Sequence, residues 1–223
     1  MAGNRRYDSA DDIPEIVPVF PLSGALLLPS GQMPLNIFEP RYIAMVDAAL
    51  AGDRLIGMIQ PALDAGETNA HPKLCEIGCL GRITQFSETG DGRYLITLAG
   101  VSRFRVVEEV RTNTAFRCCR ISLAAFQDLA EPRRGEDGVD RDALLKTFRS
   151  YLKASGLEAD WESVNRASNA GLVTALSMMS PWGPSEKQAL LESPDHAARA
   201  KTLIAITEIV LAAGANAPPA SLQ

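Results

Sequence analysis

The hydrophobic period of this chain changes near its midpoint, and that change limits what it can fold into. Before Leu123, apolar residues come in short runs broken by proline and glycine; after Gly138, they recur at spacings of three and four. Runs of four to eight residues have room for strands but not for helices, whereas the wider spacing draws a stripe along a helix. Strands first and helices second is the pattern of an α+β protein. Between the two lies Glu131-Pro-Arg-Arg-Gly-Glu-Asp-Gly138, a charged stretch that reads as a boundary. The expected organisation is a mobile tail at 1–12, a β-rich domain at 13–123, a linker at 124–136, a helical domain at 137–213 and a second mobile tail at 214–223.

Within the β part, Val17-Pro-Val-Phe-Pro-Leu22 and Ala25-Leu-Leu-Leu28 are each strand-sized. Pro18, Pro21 and Pro29 belong at strand ends, edges or bulges, because proline cannot donate to a ladder. Pro40 can open a helix at its first position; Tyr42, Ile43, Val46, Ala49 and Leu50 then share a face, and Gly52 closes it. Phe38, just before it, is expected in the core. Leu55–Gln60 reads as a strand and residues 61–73 as a surface loop. From Leu74 to Leu123, strands are expected over Ile83–Phe86, at 93–98, around Phe104 and Val106, and at 115–123, with a glycine-bearing turn at 88–92 between the first two. Arg103 and Arg105 alternate with Phe104 and Val106, which predicts a solvated face for both arginines. Many short strands at close spacing predict a small barrel or a strongly bent sheet.

Beyond Gly138, Leu144, Leu145, Phe148, Tyr151 and Leu152 form one helical stripe, ended by Gly156. Leu172, Ala175, Leu176 and Met179 form another, ended by Pro181-Trp-Gly-Pro184. Ser185 can cap a short helix, and Ser193-Pro-Asp195 can start a last one that runs through Leu203, Ile206 and Val210 to Gly214.

Composition removes several functions. The 223 residues carry 22 basic and 27 acidic side chains, a net charge of −5, which speaks against a general nucleic-acid binder. No apolar run is long enough to span a membrane. The first twelve residues have arginines without an apolar stretch behind them, unlike a secretory signal. Four cysteines, at 75, 79, 118 and 119, are too few for a disulfide scaffold, so the expected compartment is the reducing cytoplasm. Their spacing does not suit a zinc ribbon, so no metal is expected. With only His71 and His196, a histidine-based hydrolase has little to work with. The dipeptide Gly-Lys is absent, and with it any Walker A loop; Glu108 and Glu109 alternate across a strand and do not converge. No cofactor and no catalysis are expected.

Two stretches carry a resemblance. Residues 17–60, VPVFPLSGALLLPSGQMPLNIFEPRYIAMVDAALAGDRLIGMIQ, and residues 77–109, IGCLGRITQFSETGDGRYLITLAGVSRFRVVEE, resemble the N-terminal substrate-recognition domain of the Lon protease family. Residues 171–211, with SPWGPSEKQALLES inside, are similar to its helical portion. The resemblance implies a PUA-like β-barrel or bent-sheet domain joined to an α-helical bundle. It implies a non-catalytic module that recognises unfolded or exposed protein segments, as an adaptor in protein quality control. The ATPase and Ser–Lys peptidase of the family lie in later domains, so neither activity is expected of these 223 residues. Carried onto these residues, a peptide-binding surface would include Arg41 and Tyr42, next to Phe38-Glu39-Pro40. Met178, Met179 and Trp182 suit an adaptable binding surface too. Both groups also suit packing, since the helix after Pro40 must bury one face and a seam between domains takes methionine and tryptophan. An RNA-binding module is the alternative that PUA-like folds suggest, and an enzyme using the inter-domain cleft is a third. No membrane partner is expected, and any self-association should be weak.

Overall fold

The computed structural model describes residues 7–62 and 71–215. Much of the loop expected at 61–73 and of the tails expected at 1–12 and 214–223 lies outside the described residues. Six strands form one sheet: β1 Ile16–Pro21, β2 Gln32–Ile37, β3 Leu55–Ile59, β4 Ile77–Glu88, β5 Tyr94–Val110 and β6 Arg117–Ser122. Helix α1, Pro40–Ala51, lies between β2 and β3. After the strands come α2 Arg141–Ser155, α3 Trp161–Arg166, α4 Asn169–Met179, α5 Pro184–Glu192 and α6 His196–Ala215.

The strand order is β2-β5-β4-β3-β1-β6, and β6 also pairs with the second half of β5. The ladders therefore run in a circuit from β5 through β4, β3, β1 and β6 back to β5. Strand β2 lies outside that circuit, paired with residues 94–99 of β5. β5 serves all these neighbours because it is 17 residues long and its ladders shift register at several points; such irregularities bend a strand and add twist. The two strands expected at 93–98 and around 104–106 are thus one. Gly100 does not interrupt it but lets it pass the main chain of Leu28, where a Cβ would fall 2.0 Å from the carbonyl oxygen.

Two expectations for the first strands change. Ala25–Leu28 is irregular backbone, although Leu26, Leu27 and Leu28 are all buried. It is held by the Ser30 N–H donating to the Gly100 carbonyl at 3.0 Å and the Gly100 N–H donating to the Gly31 carbonyl at 2.8 Å. The strand follows it as β2, in which Met33, Leu35 and Ile37 alternate with exposed Gln32, Pro34 and Asn36. Pro18 sits where β1 pairs only with β6, before the β1–β3 ladder begins at Val19.

The sheet is covered on both faces. Val17, Val19, Leu55, Leu80, Phe104, Cys119 and Ile121 form one cluster, joined by Tyr7 and Ile13. The alternate residues, including Ile56, Met58, Cys79, Ile96 and Leu98, join a second cluster with Met45 and Val46 of α1 and with Leu144, Val173, Leu190 and Leu203 of the helices. Strand β3 feeds both, so all five of its residues are buried, as expected of a strand with both faces covered.

Polar side chains set the helix ends. Asp140 accepts the Ala143 N–H at 2.9 Å, and Gly156 closes α2 at a φ of 66°. Asp160 accepts from Glu162 and Ser163 to start α3, a helix too short to show a period. Arg141 then takes up the carbonyls of Val164 at 2.7 Å and Ala167 at 3.0 Å at its far end. Helix α5 begins with Pro184 behind Gly183, two residues earlier than a Ser185 cap suggests. Glu136 is buried in the connection before α2, and one of its oxygens accepts the Ala170 N–H at the start of α4 at 3.1 Å. The other pairs with Arg133. The Arg133 hydrogen bond and the Ala170 N–H together hold its carboxyl down at about 2.

Arg103 is not on a solvated face: it is 4% exposed. Alternation assigns the face correctly, but α5 and α6 pack over it. Its Nε and Nη2 donate to the two carboxylate oxygens of Asp128 at 2.9 and 2.8 Å. Its remaining N–H groups take up the carbonyls of Leu191, Ser193 and Pro194. Arg105, two residues on, is half-exposed and pairs with Glu76. Phe38 is likewise not in the core but 62% exposed, since it falls between the last β2 residue and the start of α1, with the Arg93 guanidinium 5.9 Å from its ring.

Replacing Arg103 with Met strands a buried carboxylate and several carbonyls, so urea denaturation of Arg103→Met should show a loss of about 3–5 kcal/mol. Adding Asp128→Leu should return part of it. Glu136 binds its proton less readily folded than unfolded, so its stabilisation is complete above the ordinary pKa of about 4.5 and fades as pH falls toward about 2. Glu136→Gln should cost about 1 kcal/mol at pH 7. Its melting temperature should also fall less steeply than the wild type's between pH 5 and 3, which thermal scans across that range would read.

Candidate functional site

Helix α4 leaves one of its faces open. Ala170, Gly171, Thr174, Ala175 and Met178 follow at helical spacing along the floor of a cleft of about 490 Å³. The turn Ser30–Gln32 that leads into β2 lines it from the sheet, Pro132 and Arg133 from the connection, and His196 from the start of α6. Small side chains on α4 keep the floor low. At its far end Met178 lies against Gly31, where a Cβ would come within 2.3 Å of the thioether sulfur. Glycine is therefore required in that turn for the methionine to lie as it does. Met179, beside it, is 83% exposed.

The backbone under these methionines is fixed. Ser168 accepts the Gly171 N–H at 3.1 Å at the start of α4. At its end the buried Lys187 ammonium donates to the carbonyls of Ser177 at 3.0 Å and Met178 at 2.8 Å. Burial pushes the Lys187 pKa down to about 8. His196 donates from Nδ1 to the Arg134 carbonyl at 3.0 Å, a tautomer dictated by an acceptor-only partner. Burial lowers its pKa, so the imidazole is neutral at physiological pH. With Ser168 capping a helix and His196 held by a carbonyl, the cleft offers apolar, polarizable surface with Arg133 at its margin. Such a surface can hold apolar side chains of varied shape.

A second depression, of about 510 Å³, is lined by Arg41, Tyr42, His71, Phe116 and Arg117 among others. Tyr42 packs on Phe20 with ring centroids 4.1 Å apart, and the Arg41 guanidinium lies 4.6 Å above it while pairing with Glu39 at 2.7 Å. Burial raises the Tyr42 pKa, against the opposing charge of Arg41. Arg117 is held by both oxygens of Glu109, at 2.7 and 2.6 Å. These walls are charged and already paired.

The five residues expected at a binding surface therefore fall in three places. Met178 and Met179 line the cleft, Arg41 and Tyr42 line the second depression, and Trp182 is buried 5.3 Å from Tyr151. The Trp182 indole nitrogen has no hydrogen-bond partner among the described residues. Sequence reasoning missed Gly31 and the small-residue face of α4; the spacing of Ala170, Gly171, Thr174 and Ala175 was the available signal. Among the described residues no group of three or more His, Cys, Asp or Glu side chains could hold a metal ion. Nor is any helix among them long and apolar enough to cross a membrane.

The family model of the ATP-dependent protease La (LON) substrate-binding domain matches residues 16–208. Lon protease 2 of Myxococcus xanthus is 27% identical over 204 residues, which are 87% of this chain and 24% of that protein. The Lon protease of Anaeromyxobacter dehalogenans is 24% identical over 204 residues, 87% of this chain and 23% of its own. The chain thus spans about a quarter of the length of these curated relatives. A solved Lon N-terminal domain protein from Xanthomonas campestris superposes with a TM-score of 0.60 at 25% identity, covering 85% of this chain and 97% of that one. The N-terminal domain of Mycobacterium avium complex Lon protease shares the fold at 19% identity, with a TM-score of 0.63 over 86% of this chain and 98% of that one. With the family model matched across the sheet and nearly all of the helical part, this chain belongs to the LON substrate-binding domain family.

Proposed function

We propose that this chain is a non-catalytic module that binds unfolded or exposed protein segments, and that it serves as an adaptor in cytoplasmic protein quality control. The observation that carries this reading is the cleft over α4, with Met178 on its floor and Met179 almost wholly exposed at its end. A methionine is flexible and polarizable, so it adapts to different apolar side chains at little cost, which a binder of many clients needs. The family supports the class of partner, since the matched model is a substrate-binding domain. The closed circuit of ladders supports a PUA-like barrel, and the five helices after it support a bundle, with the boundary between the two near 124–136. Four free cysteines suit a reducing compartment. The Arg41–Tyr42 depression is the second candidate surface; Trp182 enters this reading as packing.

Isothermal titration against a reduced and alkylated, permanently unfolded polypeptide tests the reading. Binding should appear in the micromolar range. Met178→Ser combined with Met179→Asp should weaken it at least tenfold, about 1.4 kcal/mol, while Arg41→Ala changes it less than twofold. The opposite pattern would move the site to the second depression. Absence of binding at high micromolar concentration by a folded sample would remove the reading altogether.

A further inference from the structure

Strand β2 ends the sheet: one side is bonded to β5 and the other meets no strand among the described residues. Which of its groups face the open side follows from the ladder. The Gly100 N–H donates to the Gly31 carbonyl, and the register places Gln32 opposite Ala99 and Ile37 opposite Tyr94. Bonded pairs in an antiparallel ladder come at every second residue. They fall at Gly31, Met33, Leu35 and Ile37, so the main-chain groups of Gln32, Pro34 and Asn36 point away from β5. The other side of β5 agrees. The Thr89 N–H donates to the Arg93 carbonyl, and by the β4–β5 register Leu95 and Thr97 bond to β4 like Arg93, leaving Tyr94, Ile96 and Leu98 for β2.

The open edge therefore displays the N–H groups of Gln32 and Asn36 and the carbonyls of Gln32, Pro34 and Asn36. No main-chain bond to these groups occurs among the described residues. Pro34 is tolerated there because the donor it lacks would point outward. Proteins usually blunt an open edge with charge, yet Gln32-Met-Pro-Leu-Asn-Ile37 carries none. Gln32 lines the cleft over α4, and Pro34 and Asn36 line a third depression, apolar, beside Leu95, 47% exposed, and Phe86, 39% exposed. The edge connects the two along roughly 20 Å, the length of six extended residues.

We propose that the open edge of β2 takes up an extended, uncharged segment of an unfolded protein as an added strand. The segment bonds to Gln32 and Asn36 and runs from the Met178–Met179 cleft to the Pro34–Leu95 depression. This rests on the segment-binding reading above and specifies how the segment is held. Main-chain bonding is indifferent to side-chain sequence, so one edge serves many clients, and the neutral flanks select against charged ones. A second copy of this chain fits less well: pairing β2 with β2 brings two Pro34 residues into one short ladder and removes a donor from each strand, whereas a foreign segment meets only one.

The test uses an uncharged ten-residue peptide of alternating apolar residues, and the same peptide N-methylated at every second residue in either frame. The 223-residue chain should bind the plain peptide, and one N-methylated frame should bind at least tenfold more weakly. Gln32→Pro with Asn36→Pro removes two outward donors and no bond to β5, so it should weaken binding at least tenfold with the circular dichroism spectrum preserved. Pro34→Thr adds an outward donor and should tighten binding about threefold. If the folded proline variant and both methylated peptides bind normally while Met178→Ser/Met179→Asp does not, strand addition is wrong and the segment-binding reading stands. If the wild type binds neither the peptide nor the unfolded polypeptide, both fall. If the proline variant does not fold, the methylated peptides decide alone. A dimer in sedimentation velocity that Gln32→Pro abolishes would assign the edge to a second copy and overturn the proposal.

Discussion

Two buried guanidinium groups hold the helices against the sheet. Arg103 reaches from β5, and Arg199 from α6, toward the turn that joins α5 to α6. Between them they take up the carbonyls of Leu190, Leu191, Ser193 and Pro194. The first three are acceptors that the end of α5 leaves without partners of its own, and Pro194 follows in the turn. The Asp128 carboxylate pairs directly with Arg103 and, together with Asp195, lends its charge to Arg199. Burial would raise the Asp128 pKa, but the hydrogen bonds and charge of Arg103 outweigh that and hold it below the ordinary aspartate value. Burial drives Arg199 down to about 10, still protonated at neutral pH. Because the bonds reach main-chain carbonyls, the α5–α6 turn cannot shift without unpairing charge in a dry setting, where that is expensive. The start of α6, and with it His196 on the cleft wall, inherits its position from this cluster.

Helix α4 is tied down in a related way. A carboxylate from outside the helix, Glu136, accepts the Ala170 N–H in its first turn, and an ammonium from α5, Lys187, meets its C-terminal carbonyls. Each charge sits at the end of the helix dipole that favours it. The result is a helix whose orientation is set at both ends by polar contacts while its middle carries small residues. A face fixed in this manner stays open, because nothing has to pack on it to keep the helix in place.

Much of this was legible in the sequence, and the parts that were not share a cause. Proline at helix starts, glycine at helix ends and the apolar stripes located α1, α2, α4 and α6 to within a few residues, since each signal is local. Alternation placed Arg103 on the correct face of β5 but could not say that α5 and α6 lie over that face, because coverage is decided by residues ninety positions away. Strand β2 was hidden by Gln32, Pro34 and Asn36, which look like loop residues until their alternation with Met33, Leu35 and Ile37 is counted. The triple leucine at 26–28 misled in the opposite direction: a wholly apolar run signals burial, and burial does not require a strand. Met178 and Met179 stood out by composition, but their separation from Arg41 and Tyr42 was a matter of tertiary geometry, which spacing along the chain does not encode.

The closed circuit of ladders also says something about time. Its last link joins Ile16 to Arg120 and Val19 to Arg117, so two strands about 100 residues apart in sequence must meet before the ring exists. Bringing such distant ends together costs about 4 kcal/mol of chain entropy before any contact rewards it, and contacts of this range slow folding. On the ribosome, β1 emerges long before β6, and until Ser122 is clear of the exit tunnel β1 has an open flank on the side that β6 will fill. For that interval the nascent chain carries, on β1, the same kind of unpaired strand edge that β2 keeps in the folded sheet.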